Sequence, residues 1–180
     1  MPTKSCVRHA RRRKARWGLC TVVPWLFLWA CASSGAMSYV GRTAQPDGRL
    51  TLAAAGPHDL QWENNDIAIQ GKYTFAPDHL EINGQVRLQS RLANFNILDY
   101  LWVDLYFLDG EGVILDGQRL WNAGRRNTEF FTRWNFARGY APPAGTRAIT
   151  FGYTGRVSDG GGYSDWGGGD GIDFNFWRRP

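Results

Sequence analysis

Cysteine is almost missing from this chain, and what there is sits at one end: Cys6, Cys20 and Cys31, with none after residue 31. A disulfide framework is therefore excluded for the body, as are a cysteine-ligated metal and a thiol nucleophile. Acidic residues are missing from the first thirty positions, which hold seven arginines and lysines. Lysine is scarce beyond them, with Lys72 alone against thirteen arginines. Histidine is reduced there to His58 and His79, each beside an aspartate (Asp59, Asp78) in a turn-like stretch, which reads as surface chemistry. No serine-hydrolase elbow, zinc-binding helix, phosphate loop or dinucleotide fingerprint appears. No stretch of the body keeps helical spacing.

What is present begins with a leader. The basic run Arg8–Arg16 leads into the apolar segment Leu19–Ala30, and then into the small residues Cys31-Ala-Ser-Ser-Gly-Ala36. That order is that of a secretory signal peptide over residues 1–30. A membrane-spanning helix is the other reading, but twelve residues reach only about 18 Å as a helix. The hydrocarbon core is about 30 Å thick, and Pro24 interrupts the segment. The formal net charge of +5 comes from this leader. Residues 31–180 hold 14 basic and 16 acidic residues, a net of −2, so no phosphate-binding stripe exists and no nucleic-acid partner is expected. Arg125-Arg126 and Arg178-Arg179 are only short pairs.

Leu28-Trp29-Ala30-Cys31 resembles the lipobox of bacterial lipoproteins. The resemblance implies a lipid (palmitate) on Cys31, anchorage to the membrane and a place in the cell envelope, facing away from the cytoplasm. The run 31–48, small and polar, suits a flexible tether. Ala30-Cys31-Ala32 also fits an ordinary signal-peptidase site, and a cut after Ala32 would release a soluble secreted form.

The body, residues 49–180, alternates with period two. Ile67, Ile69, Tyr73 and Phe75 alternate with polar or small residues, and Gly71 suggests a bulge. Leu80, Ile82, Gly84, Val86 and Leu88 face one way; Glu81, Asn83, Gln85, Arg87 and Gln89 face the other. Leu101, Val103, Leu105 and Phe107 form one side of the strongest apolar segment, with Tyr100, Trp102, Asp104 and Tyr106 on the other. Asp109-Gly-Glu-Gly112 then predicts a hairpin turn. Between the last two strands mentioned, Leu92, Phe95 and Leu98 suit a single inward-packed helical turn. Further strands are expected over Phe130–Phe136, from Ile149 through Tyr153, and over Ile172–Phe176, with Ala141-Pro-Pro-Ala-Gly145 as a rigid connector. Seven or eight short strands without helices predict an all-β, antiparallel, immunoglobulin-like sandwich, with a small barrel as the alternative.

Ile82-Asn-Gly-Gln-Val86, Val103-Asp-Leu-Tyr-Phe-Leu-Asp-Gly110 and Glu129-Phe-Phe131 resemble the FxLYD-like, immunoglobulin-type domains of secreted bacterial proteins. The resemblance implies an extracytoplasmic accessory module without catalytic residues.

Two features of the body could carry binding. The glycine-rich loop 158–171 contains Gly168-Gly-Asp-Gly-Ile-Asp173, which follows the opening of a calcium-binding nonapeptide. Asp159, Asp165, Asp170 and Asp173 could gather calcium, the one cofactor considered; a solvated loop is the plain alternative. Trp166 on this loop is the candidate for surface contact with a carbohydrate, whereas Trp102 and Trp134 are expected in the core. The leading expectation is a membrane-anchored, non-catalytic module that binds an envelope protein partner through a sheet edge or the glycine-rich loop. A carbohydrate- or calcium-dependent binder, and then a small envelope hydrolase, are the alternatives.

Overall fold

A computed structural model describes residues 39–128, 133–159 and 171–176, all within the compact unit Ser33–Pro180. The strands are β1 (Leu50–Thr51), β2 (Pro57–Glu63), β3 (Ile67–Ala76), β4 (His79–Leu88), β5 (Ile97–Leu108), β6 (Ile114–Ala123), β7 (Arg126–Asn127), β8 (Arg133–Tyr140), β9 (Ala148–Ser158) and β10 (Gly171–Asn175). One short helix, α1 (Ser90–Ala93), lies between β4 and β5. Every pairing is antiparallel, and the strands form two sheets. The four-stranded sheet runs β2-β3-β4-β8; the six-stranded one runs β1-β9-β5-β6, with β10 on β9 and β7 on β5. The two do not close on each other, so the fold is a sandwich and the barrel is set aside.

The alternation read along the chain becomes the core. Leu80, Ile82, Val86 and Leu88 of β4 meet Leu101, Val103, Leu105 and Phe107 of β5 in one buried cluster, with Ile67, Ile69 and Phe151. Burial of this apolar surface is the main driving force. The helical turn is present, with Leu92 and Leu98 buried and Phe95 packed against them. The hairpin between β5 and β6 is closed by Asp109, whose carboxylate accepts the amides of Glu111 and Val113, each at 2.9 Å. Gly112 follows in the left-handed region at φ +88°.

Three tyrosine hydroxyls bridge the layers. Tyr140 of β8 donates to the Arg119 carbonyl of β6 at 3.2 Å. Tyr73 of β3 donates to the Thr51 carbonyl at 3.4 Å and accepts from the Ala53 amide at 3.2 Å. Tyr153 of β9 reaches the β2–β3 turn, as described below.

Three expectations are corrected. Gly71 marks no bulge: it sits directly opposite Gly84 in an unbroken β3–β4 register. The irregularities fall in β5 instead, at Val103/Asp104, Phe107/Leu108 and Leu98/Tyr100. Nor are residues 31–48 a free tether along their described length. From Tyr39 onward the segment is bound into the fold, because Thr43 bridges Val113 and Ala44 is 2% exposed. The Gly48 carbonyl accepts from both Trp62 and Thr150. This strap supplies the apolar cover that Tyr106, Leu108, Ile114 and Ala148 need on the outer side of their sheet. Finally, Trp134 is buried and stacked on Trp121 at 5.1 Å, as expected, but Trp102 is 43% exposed.

The paired glycines give a direct test. A Cβ on Gly71 would press on the Asn83 carbonyl and lie 2.6 Å from Gly84 Cα; one on Gly84 would lie 2.9 Å from Gly71 Cα. The obstacle is backbone, so the strands themselves must move. Gly71→Ala and Gly84→Ala should each lower unfolding free energy by about 2 kcal/mol or more. Gly110→Ala, which meets nothing within 4 Å, should stay within about 0.5 kcal/mol of the parent in the same denaturant titrations.

Candidate functional site

Two places on the sandwich combine exposure with unusual chemistry. The first is the outer face of the six-stranded sheet. There the side of β5 opposite the core presents Trp102, Asp104 and Tyr106 in succession, and burial deepens along the strand. Tyr106 is covered by the strap, with Tyr39 edge-on at 5.8 Å, while Trp102 lies beyond the cover. Asp104 lies between them, 6% exposed. Its register partner Arg119 of β6 donates to it through Nε, an ion pair with both members substantially buried. Burial pushes the Asp104 carboxyl above its ordinary range, and the Arg119 bond and charge pull it back down.

The same guanidinium lies over the Trp102 ring, 5.1 Å from its centroid, and Tyr100 flanks it at 5.6 Å. Arg119 thus neutralises the buried carboxylate and props the exposed indole. Around them, Arg125 and Arg156 lie 3.6 and 3.7 Å from Asp99, and Arg156 lies 3.4 Å from Asp173. The patch therefore pairs three arginines with three aspartates.

The second place is a cleft of about 360 Å³ between the β2–β3 turn, α1 and β10. It is built on a polar knot. Asn64 Oδ1 accepts the amides of Asp66 and Ile67, folding the turn back on itself. This aims the Asp66 carboxylate inward, where Arg91 of α1 donates to Oδ1 at 2.6 Å and Tyr153 donates to Oδ2 at 2.8 Å. Asn64 Nδ2 donates in turn to the Tyr153 hydroxyl at 2.8 Å. Burial first, and then the hydrogen bond and charge of Asp66, push the Tyr153 phenol well above its ordinary value. Phe174 and Phe176 complete the wall, with Phe176 edge-on to Trp62 at 5.5 Å.

Of the residues singled out from sequence, Asp173 lines this cleft and is bonded by Arg156 at 3.4 Å. Asp159 is exposed at the end of β9. Asp165, Trp166 and Asp170, like Cys31, lie outside the described residues. What is described of the glycine-rich segment is its base, where Gly171 pairs with Ser158. Among the described residues no group of three metal-ligating side chains occurs, and no helix is long and apolar enough to cross a membrane. His58 and His79 take local roles, near the Ala55 carbonyl at 2.9 Å and Glu81 at 3.3 Å. Asn64, Asp66, Arg91 and Tyr153 were not singled out. Arg91 and Tyr153 lie far in the chain from Asn64 and Asp66, and Asn64-Asn65-Asp66 reads as ordinary turn chemistry.

Two of the tyrosine bridges, Tyr153 and Tyr140, predict an alkaline limit. Burial also raises the phenol of Tyr140. The unfolded chain, titrating near pH 10, loses these protons first, so stability should fall as pH rises above about 10. Tyr153→Phe should cost about 1–2 kcal/mol at neutral pH by leaving Asp66 short of a donor. It should also make the alkaline fall in melting temperature shallower, and an unchanged slope would contradict the assignment. Comparison with protein-family models found no match, and comparisons with curated proteins and with solved structures found none either.

Proposed function

We propose that the chain is an exported, lipid-anchored and non-catalytic module that binds a protein partner through the outer face of β5. The observation that carries this reading is Trp102, an exposed indole held in place by Arg119 and Tyr100. Tryptophan, tyrosine and arginine are the residues that dominate binding energy at protein interfaces, and prepositioned side chains lose little freedom on binding. The surrounding charges cancel, which favours a protein surface of mixed polarity over a polyanion. One face of the indole is occupied by the guanidinium, which argues against a sugar stacked on it. The contact proposed is thus a sheet face, where the sequence suggested a sheet edge or the glycine-rich loop.

The envelope placement rests on the leader and the lipobox-like Leu28–Cys31. The described chain enters the body at Tyr39, whose neighbour Gly41 bonds Ile114 at the β5–β6 hairpin end. The paired base of the glycine-rich loop lies at the far end of β9, where Gly171 pairs with Ser158.

A photo-crosslinking residue at Asn122, exposed and paired with Trp102, should trap one discrete partner in the native envelope. Trp102→Ala should weaken that product at least about tenfold without lowering the melting temperature. The same probe at Gln85, on the opposite sheet, should trap nothing discrete. Equal products from both faces would sink the reading. Labelled palmitate should enter the full chain and be lost in Cys31→Ser; a parent chain that takes up no label would end the lipid assignment.

A further inference from the structure

The cleft at the β2–β3 turn borders the β5 patch through the shared Arg156–Asp173 pair, but its chemistry selects a different ligand. Its charges are balanced: Asp66 is neutralised by Arg91, and Asp173 by Arg156. An anion such as phosphate finds no surplus cation, and a metal ion finds no set of three ligands among the described residues. Hydrogen-bonding capacity, by contrast, is left over. Each Asp66 oxygen accepts one bond, about half of what a carboxylate can take. Arg91 is 55% exposed and spends one nitrogen on Asp66. The exposed residues Gln45 and Asn65 also line the cleft, and the half-buried Phe176 supplies aromatic surface at its wall, backed by the buried Tyr153 and Phe174.

We propose that this cleft binds a single neutral sugar ring. Donors and acceptors of both kinds, at zero net charge and beside aromatic carbon, match a ring that carries hydroxyls around its rim and C–H groups on its faces. At about 360 Å³ the cleft stands at the small end of ligand cavities, which limits it to one ring. The polar knot is locked before binding, since Asn64, Asp66, Arg91 and Tyr153 already hold one another. Little ordering is then needed when the ring enters.

Trp62, edge-on to both Tyr153 and Phe176, is a built-in reporter. The full chain is titrated with D-glucose, D-galactose, D-mannose and N-acetyl-D-glucosamine, following tryptophan emission and heat, with sodium phosphate and calcium chloride as charged comparisons. At least one sugar should saturate, with a dissociation constant of about 1 mM, and neither salt should. Asn65→Trp, which crowds the cleft from an exposed position, should weaken that sugar at least about tenfold at unchanged melting temperature. Gln45→Ala should weaken it severalfold. Trp102→Ala should leave it unaltered, which separates this site from the protein-binding face. The proposal is overturned if no sugar saturates, if only phosphate or calcium binds, or if sugar binding survives both Asn65→Trp and Gln45→Ala.

Discussion

Strand β5 has to be buried on both faces for half its length, and the rest of the molecule is arranged around that requirement. Its inner side is met by the four-stranded sheet in the ordinary manner of a sandwich. Its outer side carries Asp104 and Tyr106, and among the described residues no second layer of sheet covers them. The segment Tyr39–Gly48 does so instead, held by Thr43 on Val113 and by Arg49 on the Ala44 and Glu111 carbonyls. Among the described residues nothing extends that cover beyond the strap, and Trp102 is 43% exposed. Arg119 joins the two regimes, since it compensates the buried Asp104 charge and lies over the exposed indole. An unpaired carboxylate at that depth would be strongly destabilising. The feature that suits the patch for recognition is thus also the one that lets the strand be buried.

The cleft follows a related logic beside the β2–β3 turn. Two sheets that part at their ends expose backbone and polar side chains. Here the gap is spanned by the Tyr153 hydroxyl between the Asn64 amide and the Asp66 carboxylate, with Arg91 closing the remaining side. Every member of the knot is held by another, so the cleft has a rigid wall instead of a frayed loop. A satisfied polar network is a structural device first. The proposed sugar site adds to that role the hydrogen-bonding capacity left on Asp66 and Arg91, both of which line the cleft.

Much of this architecture was legible in the chain. The alternations of β4 and β5 are regular enough to assign their faces outright, and Asp109 with Gly112 marks its hairpin through local hydrogen bonding. The failures have specific physical causes. The strap was read as a tether because small and polar residues look alike whether solvated or packed, and Ala44 is buried by its neighbours, not by its own hydropathy. Gly71 suggested a bulge because a lone glycine in a strand often is one; its facing partner Gly84 becomes visible only once register is known. Trp102 and Trp134 occupy similar alternating runs, but Trp134 faces the core between the sheets, stacked on Trp121, whereas Trp102 faces outward beyond the strap. Asp66, Arg91 and Tyr153 each look unremarkable in isolation, and their meeting is a product of topology.

The account therefore turns on unequal burial along one face of one strand. Hydroxyl-radical footprinting of the full chain, read by mass spectrometry, reports this directly, because Trp102 and Tyr106 share that face within four residues of one another. Trp102 should be oxidised rapidly, and Tyr106, 1% exposed, should be protected to nearly the level of core Phe107. Comparable modification of Trp102 and Tyr106 in the folded protein would contradict the account.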